Sequence, residues 1–241
     1  MITLVDITKK PLNHIGMIAG ICWDANIDNT EANVKRAINC IKSGHGRVME
    51  YVEVTVVISN YSARCMREIY THIAGASRLQ ASTRYIDYES EPFPYYIPSS
   101  IDSRETTDEY CKAMQNIAQS LEKLSKLGVS KQDCANLLPL GMNSKMVWKM
   151  NLRGLVNFFN KRLCKRALPE MQSFAKELKE KLRNVDEDWT WIADNLFVPQ
   201  CEQYKYRNTT MCFCSEAKGC GRYPSIKDIE CIVKEKSECD P

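Results

Sequence analysis

The segment that leads from His45 into a strand ending near Ile58 limits the possible folds most. Its even-numbered residues from 52 to 58 are apolar, while Glu53 and Thr55 between them are polar. Successive side chains of a strand point to opposite faces, so this alternation predicts a sheet strand with one covered face. A chain with such a strand needs further strands and covering helices.

Helical patterns lie on both sides of this strand. Asn29 or Thr30 begins the first one, which Gly44 ends, and Ser62 begins the second, which ends near Gly75. The pattern predicts an α/β (α+β) fold in which long helices flank a mixed sheet. The further expected elements are a strand over Ile2–Ile7, helices over about 103–126 and 144–163, and a helix that begins at Pro169.

Composition excludes several classes of protein. The chain has 241 residues, of which 44% are hydrophobic and 26% charged, so it can bury a substantial core without disulfides or metals. A net charge of +3 is too balanced to indicate binding of duplex nucleic acid. No apolar run reaches the roughly 18–20 residues that span a bilayer, and the N-terminal residues resemble a strand more than a secretion signal. We therefore expect a cytoplasmic protein without a membrane segment.

A polar loop over residues 77–88 has the highest density of side chains that can bind a polar ligand. Guanidinium groups bind phosphate with forked donors, hydroxyl and amide groups recognise polar edges, and a tyrosine offers a face for stacking. An isolated loop of this kind is also compatible with a solvated surface segment. The residues with these groups are Gln80, Ser82, Thr83, Arg84 and Tyr85.

Polar side chains also interrupt the apolar face of the expected helix over 144–163. Asn151 and Arg162 are eleven positions apart, which at about 100° per residue places them on one stripe. Arg153 and Asn157 form a second polar pair on another side. Buried polar groups need partners, so this arrangement indicates an internal hydrogen-bond network or a ligand.

These segments resemble the motifs of the flavin-dependent thymidylate synthases. Three of the matching segments are Gly44-His45 to Glu50, the helix with Arg67-Glu68, and the Ser82-Thr83-Arg84-Tyr85 loop. The resemblance covers roughly residues 1–182. The fourth segment is the Asn-x-Arg helix and its continuation, with Asn151, Arg153, Leu155, Asn157, Phe158, Arg162, Ala167 and Glu170.

The resemblance implies a homotetramer that binds FAD and a dUMP-like pyrimidine nucleotide between subunits. It implies transfer of a methylene group from methylenetetrahydrofolate to C5 of dUMP, with a hydride from flavin that NADPH has reduced. It implies catalytic roles for Ser82 and Arg162. The other implied nucleotide contacts are Glu68, Gln80, Thr83, Arg84 and Tyr85, and the implied flavin contacts are His72, Arg78, Asn151, Arg153 and Asn157.

The chain departs from the family pattern at several positions. The family's Arg-His-Arg triplet corresponds to Thr71-His72-Ile73, with one extra residue before Ser82. Glu68 replaces a glutamine, and Ala135 or Asn136 stands where the family has a phosphate-binding arginine. We hypothesise that Arg64 and Arg78 supply compensating charge.

Two alternatives to dUMP methylation remain at this point. One is flavin- and folate-dependent one-carbon transfer to a different pyrimidine nucleotide, for example hydroxymethylation. The other is a non-catalytic relative that binds nucleotides or RNA. The missing arginines leave both open.

The last part of the chain, residues 185–241, is expected to form a cysteine-rich extension after the core domain over 1–184. Six of the 12 cysteines lie in its last 41 residues. Cysteines at this density in a reduced protein favour a tetrahedral metal site over disulfides. Zinc bound by Cys201, Cys212, Cys214 and Cys220 is one reading, and packed free thiols or an iron–sulfur or redox role are the others.

Overall fold

The computed structural model describes residues 1–88, 92–206 and 212–230. A four-stranded sheet has the order β1-β2-β4-β3. Main-chain hydrogen bonds from Thr8 to Glu53 and from Leu152 to Val52 join antiparallel neighbours. The expected α/β fold with a sheet and flanking helices is confirmed. The strands are β1 (Ile2–Ile7), β2 (Glu53–Ser62), β3 (Ala76–Gln80) and β4 (Asn143–Asn151).

The helices begin at residues whose side chains accept main-chain hydrogen bonds. Asn29 Oδ1 accepts from Ala32 N at 2.9 Å, and Ser62 Oγ accepts from Cys65 N at 3.0 Å. The helices are α1 (Pro11–Ile21), α2 (Thr30–Lys42), α3 (Ala63–Tyr70), α4 (Arg104–Lys126), α5 (Lys131–Cys134), α6 (Leu152–Arg162), α7 (Pro169–Arg183) and α8 (Glu187–Asn195). Short 3₁₀ helices occupy Gly46–Tyr51, Ala135–Leu137 and Gln200–Lys205.

The chain forms two compact units. The first contains residues 1–5 and 55–149, and the second contains residues 6–54 and those from 150 onward. The first unit has a cluster of buried side chains from α4, α5 and the segments beside them, which are Phe93, Met114, Leu121, Cys134 and Met142. In the second unit the apolar stripe of α7 is fully buried, with Met171, Phe174, Ala175, Leu178 and Leu182 at 0% exposure.

Several predicted elements are confirmed. The even-numbered residues 52–58 are at most 3% exposed, so β2 has one covered face as expected. The long helix α4 begins after Ser103, whose side chain forms a capping box with Thr106. The helix α7 begins at Pro169, where a missing N–H costs no hydrogen bond.

The predicted single helix over residues 144–163 is wrong. Residues 143–151 form β4, and the helix α6 begins only at Leu152. The even-numbered side chains from Ser144 to Met150 are at most 4% exposed, while Lys145 and Val147 between them are exposed. This period of two was present in the sequence, but lysine and methionine are also good helix formers.

The predicted loop over residues 77–88 is wrong in its first part, because Ala76–Gln80 forms the strand β3. The side chain of Leu79 is 74% exposed, so this strand lacks the inward apolar alternation that predicts a strand from sequence. The helix α3 ends at Tyr70 and not near Gly75. Tyr70 is 41% exposed and Ile73 is 72% exposed, so neither belongs to the buried face of Cys65, Met66 and Ile69.

Residues 186–198 pack into the second unit. Trp189 and Phe197 are fully buried, and Trp189 Nε1 donates to the carbonyl oxygen of Thr8 at 2.9 Å. Asp188 Oδ2 accepts from Leu12 N at 2.9 Å and from Asn13 N at 3.2 Å, which are main-chain donors of the first turn of α1. These donors have no partner within a helix, so α8 supplies a cap for α1. Trp191, two residues further along the same helix, is only half-buried.

No helix within the described residues combines the length and the apolar character required to cross a bilayer.

Replacing Trp189 by alanine should lower the free energy of unfolding by about 3–5 kcal/mol, because it opens a large cavity and leaves the Thr8 carbonyl without its donor. For a chain of this size the melting temperature should fall by about 2–4 °C per kcal/mol. Trp191→Ala on the same helix is the matched control and should cost much less. Equal losses for both variants in chemical denaturation would contradict the anchoring role of Trp189.

Candidate functional site

The loop that follows β3 in the first unit holds its polar groups in a tight turn. Ser82 O accepts from Tyr85 N at 3.3 Å, and Ser82 Oγ accepts from Arg84 N at 3.2 Å. The Arg84 guanidinium lies 5.7 Å from the centroid of the Tyr85 ring, and both side chains are exposed. At the end of β3, Gln80 Nε2 donates to Ser144 Oγ at 3.1 Å. The loop therefore presents a guanidinium and an aromatic face together.

Arg78 has a structural task that the sequence did not indicate. Its Nη1 donates to the carbonyl oxygens of Tyr70 at 2.6 Å and His72 at 3.1 Å, and its guanidinium lies 5.0 Å from the Tyr70 ring centroid. It therefore ties β3 to the C-terminal end of α3. His72 and Glu68, also predicted for the site, are both half-buried on this side of the chain.

In the second unit, two of the motifs that carry the resemblance meet at an ion pair. Arg153 Nη1 lies 2.6 Å from Glu50 Oε1, and the side chains are 57% and 41% exposed. A Cβ atom on Gly46 would lie 3.2 Å from Arg153 Nε, so a glycine at this position makes room for the arginine. The Gly-His segment and the Asn-x-Arg helix are thus one local structure.

The predicted stripe that joins Asn151 and Arg162 is wrong. Asn151 is the N-cap of α6, and its Oδ1 accepts from Gly154 N at 2.8 Å. Arg162 is the last residue of the same helix, about 16 Å away along its axis at 1.5 Å per residue. The polar interruption predicted from this pair is therefore two separate helix ends. Asn157, one turn after Arg153, is exposed.

Arg162 opens onto a cavity of about 330 Å³ in the second unit. Its charged lining consists of Lys161, Arg162, Arg166 and Glu216. Arg166 Nη1 donates to Glu216 Oε2 at 3.2 Å and to the Lys218 carbonyl oxygen at 2.8 Å, and Lys161 Nζ donates to Gln200 Oε1. Three cations face one carboxylate, so the cavity favours an anion. One of its walls is the cysteine-rich segment.

Asn160 also lines this cavity and was not predicted as a functional residue. It is 4% exposed, and its Nδ2 donates to the Val198 carbonyl oxygen at 2.7 Å. Its Oδ1 accepts from Tyr206 Oη at 3.2 Å and from Gln203 Nε2. An asparagine between Phe159 and the cavity holds residues 198–206 against the end of α6. The signal in the sequence was Asn160 directly after Phe158 and Phe159.

The structure does not bring together the four cysteines predicted to bind zinc. Over residues 1–88, 92–206 and 212–230, no three His, Cys, Asp or Glu side chains are placed to hold a metal ion. Cys201 is half-buried, Cys214 pairs by a β-bridge with Ser225, and Cys220 is exposed. Burial raises the pKa of the Cys201 thiol, which keeps it protonated at neutral pH. Ten cysteines in these ranges form no disulfide, and Cys231 and Cys239 lie outside the ranges.

Comparison with known proteins decides the family. The family model named Thymidylate synthase complementing protein matches residues 3–186. The chain belongs to this family. The match includes the loop with Ser82 and Arg84 and the helix with Arg153 and Arg162, so the resemblance inferred from these motifs is confirmed.

Relatives in the thymidylate synthase complementing protein family have similar lengths. The chain is 31% identical over 218 residues to a flavin-dependent thymidylate synthase of Pyrococcus abyssi, covering 85% of this chain and 88% of the relative. It is 29% identical over 192 residues to the enzyme of that name from Geobacter sulfurreducens, covering 76% and 82%.

A solved structure has the same fold. It is thymidylate synthase X of Helicobacter pylori with FAD and dUMP, which matches with a TM-score of 0.66 at 18% identity. The match covers 82% of this chain and 99% of that one. None of these matches favours hydroxymethylation or a non-catalytic role.

Replacing Asn160 by leucine should lower the free energy of unfolding by about 2–3 kcal/mol, because the Val198 carbonyl and the Tyr206 hydroxyl lose their partner. The exposed Asn157 lies on the same helix. Asn157→Leu should change the free energy of unfolding by less than about 0.5 kcal/mol. Urea denaturation of both variants tests this. A mild effect at Asn160 would mean that residues 198–206 are held by other contacts.

Proposed function

We propose that this protein catalyses the reductive methylation of dUMP to dTMP, with FAD as cofactor and with methylenetetrahydrofolate and NADPH as co-substrates. The observation that carries this proposal is the end of α6, where Arg162 opens onto a cavity with three cations and one carboxylate. The relatives bear the name of this activity, and the Helicobacter pylori structure contains both FAD and dUMP.

The nucleotide contacts are proposed on two segments. Arg162 binds and orients the pyrimidine nucleotide, because a guanidinium supplies several donors in one plane. In a neighbouring subunit of the proposed assembly, the loop after β3 supplies the Arg84 guanidinium, the Tyr85 stacking face and a polar contact from Thr83, and the end of β3 supplies Gln80. Ser82 is proposed to polarise the base, and Glu68 to contact its polar edge.

The flavin contacts are proposed mainly on the exposed side of α6. Arg153 and Asn157 lie one turn apart and are both exposed, so their donors are accessible to a polar ring edge. Asn151, and His72 and Arg78 of a neighbouring subunit, are the other proposed contacts. Asn151 uses Oδ1 as a helix cap and Arg78 uses Nη1 on main-chain carbonyls, which leaves Asn151 Nδ2 and Arg78 Nη2 for the flavin. When bound, FAD supplies the hydride.

The arginines missing from the family pattern are replaced, in this proposal, by cations at other positions. Ala135 lies in a 3₁₀ helix and carries no charge. Lys161 lies beside Arg162 in the cavity, and Arg64 is exposed on α3. Since Arg78 is engaged with carbonyl oxygens, Arg64 is the better of the two hypothesised substitutes.

A homotetramer is proposed as the assembled form. The segment from Tyr70 to Tyr85 contains four large exposed side chains, with Ile73, Leu79 and Tyr85 more than 70% exposed. Exposed apolar residues at this density are typical of an interaction surface. Subunit contacts of such an assembly would cover them.

Purified protein should carry FAD, seen as absorption near 450 nm that is roughly equimolar with the chain, because clustered polar donors bind the flavin tightly. Incubation with dUMP, methylenetetrahydrofolate and NADPH should yield dTMP, identified by mass. Omission of each co-substrate in turn is the control. A flavin-loaded protein that forms no dTMP would contradict the proposed reaction, and a hydroxymethyl product would replace it.

Arg162→Ala should weaken dUMP binding by about 10- to 100-fold, because it removes charge-assisted hydrogen bonds. The fold should persist, as circular dichroism checks. Arg166→Ala is the matched control. Arg166 lies in the same cavity, and its guanidinium donates to the Glu216 carboxylate and to the Lys218 carbonyl oxygen. The variant should keep dUMP affinity close to that of the wild type in calorimetric titration. Equal loss in both variants would mean that the cavity attracts dUMP only through its overall charge.

A further inference from the structure

The cavity onto which Arg162 opens is also lined by three cysteines, which the proposed reaction does not use. They are Cys164, Cys201 and Cys214, and each of them is partly buried. Cys164 follows α6, whereas the other two belong to the cysteine-rich segment. Thiols that border one cavity are accessible to a small solute that enters it.

Cys201 and Cys214 belong to two short segments that are joined to each other. Cys201 lies in the last 3₁₀ helix, and Cys214 forms a β-bridge with Ser225. The residue after Cys201 is Glu202, whose Oε1 lies 2.6 Å from Arg222 Nη1. The Glu202 side chain is only 10% exposed, so solvent screens this ion pair less than it screens a pair on the surface. The ion pair therefore holds the two cysteine-bearing segments together.

The charge on one of these thiols acts on the other. Burial raises the pKa of the Cys201 thiol, the Glu202 carboxylate raises it further, and a Cys214 thiolate adds to the effect. A charge influences a pKa strongly only at short range. This agrees with the cavity that the two cysteines share, and it makes them neighbours in the fold.

Two neighbouring thiols can be joined by hydrogen peroxide. The sulfur of one cysteine attacks a peroxide oxygen, the O–O bond breaks, and a sulfenic acid and a hydroxide are formed. The sulfur of the second cysteine attacks the sulfenic sulfur, expels a second hydroxide and forms the S–S bond. The two thiol protons convert both hydroxides into water. The cysteines lose two electrons, and one peroxide molecule becomes two molecules of water.

Such a bond would narrow the cavity. The sulfur atoms of a disulfide are about 2.05 Å apart, which is closer than two unbonded sulfur atoms approach. Reaching this distance draws the segment of Cys214 toward Cys201. Glu216 lies two residues after Cys214 and accepts a hydrogen bond from Arg166, so the movement also displaces the cationic lining.

We infer that Cys201 and Cys214 are a peroxide-oxidised thiol pair whose reversible disulfide closes the Arg162 cavity. Formation of the bond depends only on the two cysteines. The loss of dUMP binding that follows from closure rests on the proposed function.

The first measurement maps disulfides in the full-length protein after treatment with hydrogen peroxide. The reduced wild type should lose two of its 12 thiols. Mass spectrometry of proteolytic peptides should find Cys201 linked to Cys214. Dithiothreitol should restore both thiols, because thiol–disulfide exchange is reversible.

Two serine variants assign the bond, and a third is the matched control. Cys201→Ser and Cys214→Ser should each lose the mapped link, and the partner thiol should stay reducible. Cys164→Ser changes a thiol of the same cavity and should leave the link intact. The peptide map of the wild type identifies the link even if a variant folds poorly.

The second measurement is calorimetric titration of reduced and peroxide-treated protein with dUMP, after the peroxide has been removed. Oxidation should weaken dUMP binding at least about tenfold, because the narrowed cavity no longer admits the nucleotide. Dithiothreitol should restore the affinity. Cys214→Ser should bind dUMP equally well before and after peroxide treatment.

The inference is overturned if peroxide leaves both thiols free or links either of them to another cysteine, for example Cys212. It is also overturned if the mapped disulfide leaves dUMP affinity unchanged. Failure of the proposed function gives a different result: the reduced protein then does not bind dUMP, and the peptide map alone decides whether the thiol pair exists.

Discussion

The junction between β4 and α6 determines the placement of the polar groups in the second unit. Asn151 Oδ1 caps Gly154 N, and Leu152 N donates to the Val52 carbonyl oxygen at 2.8 Å, so the first turn of the helix is held from two sides. A shift of one residue in this start would rotate every later side chain by about 100°. Arg153 would then leave Glu50, and Arg162 would leave its cavity.

The chain beyond the family match is part of this architecture. The family model ends at residue 186, yet Trp189 and Phe197 are fully buried in the second unit. Further along, Asn160 holds residues 198–206, and the Arg166–Glu216 pair holds the segment after residue 212. The cysteine-rich segment thus forms a wall of the Arg162 cavity.

Sequence patterns predicted the elements whose period and caps agree. The helix α4 has both a capping box and an apolar stripe, and α7 has a proline at its start and a fully buried stripe. Prediction was wrong where the residues fitted a helix as well as a strand, or gave no clear pattern for either. Residues 144–150 contain lysine and methionine with a period of two, and β3 exposes Leu79 at 74%, so neither strand had a clear local signal.

The sequence by itself determined the family, the order of the main elements and the residues with relevant chemistry, because motif spacing and capping are local properties of the chain. Only the tertiary structure decided how those residues are used. Arg78 binds carbonyl oxygens of α3, Asn151 caps a helix, and Arg153 pairs with Glu50 across 103 positions of sequence. Hydrogen-bond partners distant in sequence are selected by packing, and packing is a property of the whole fold.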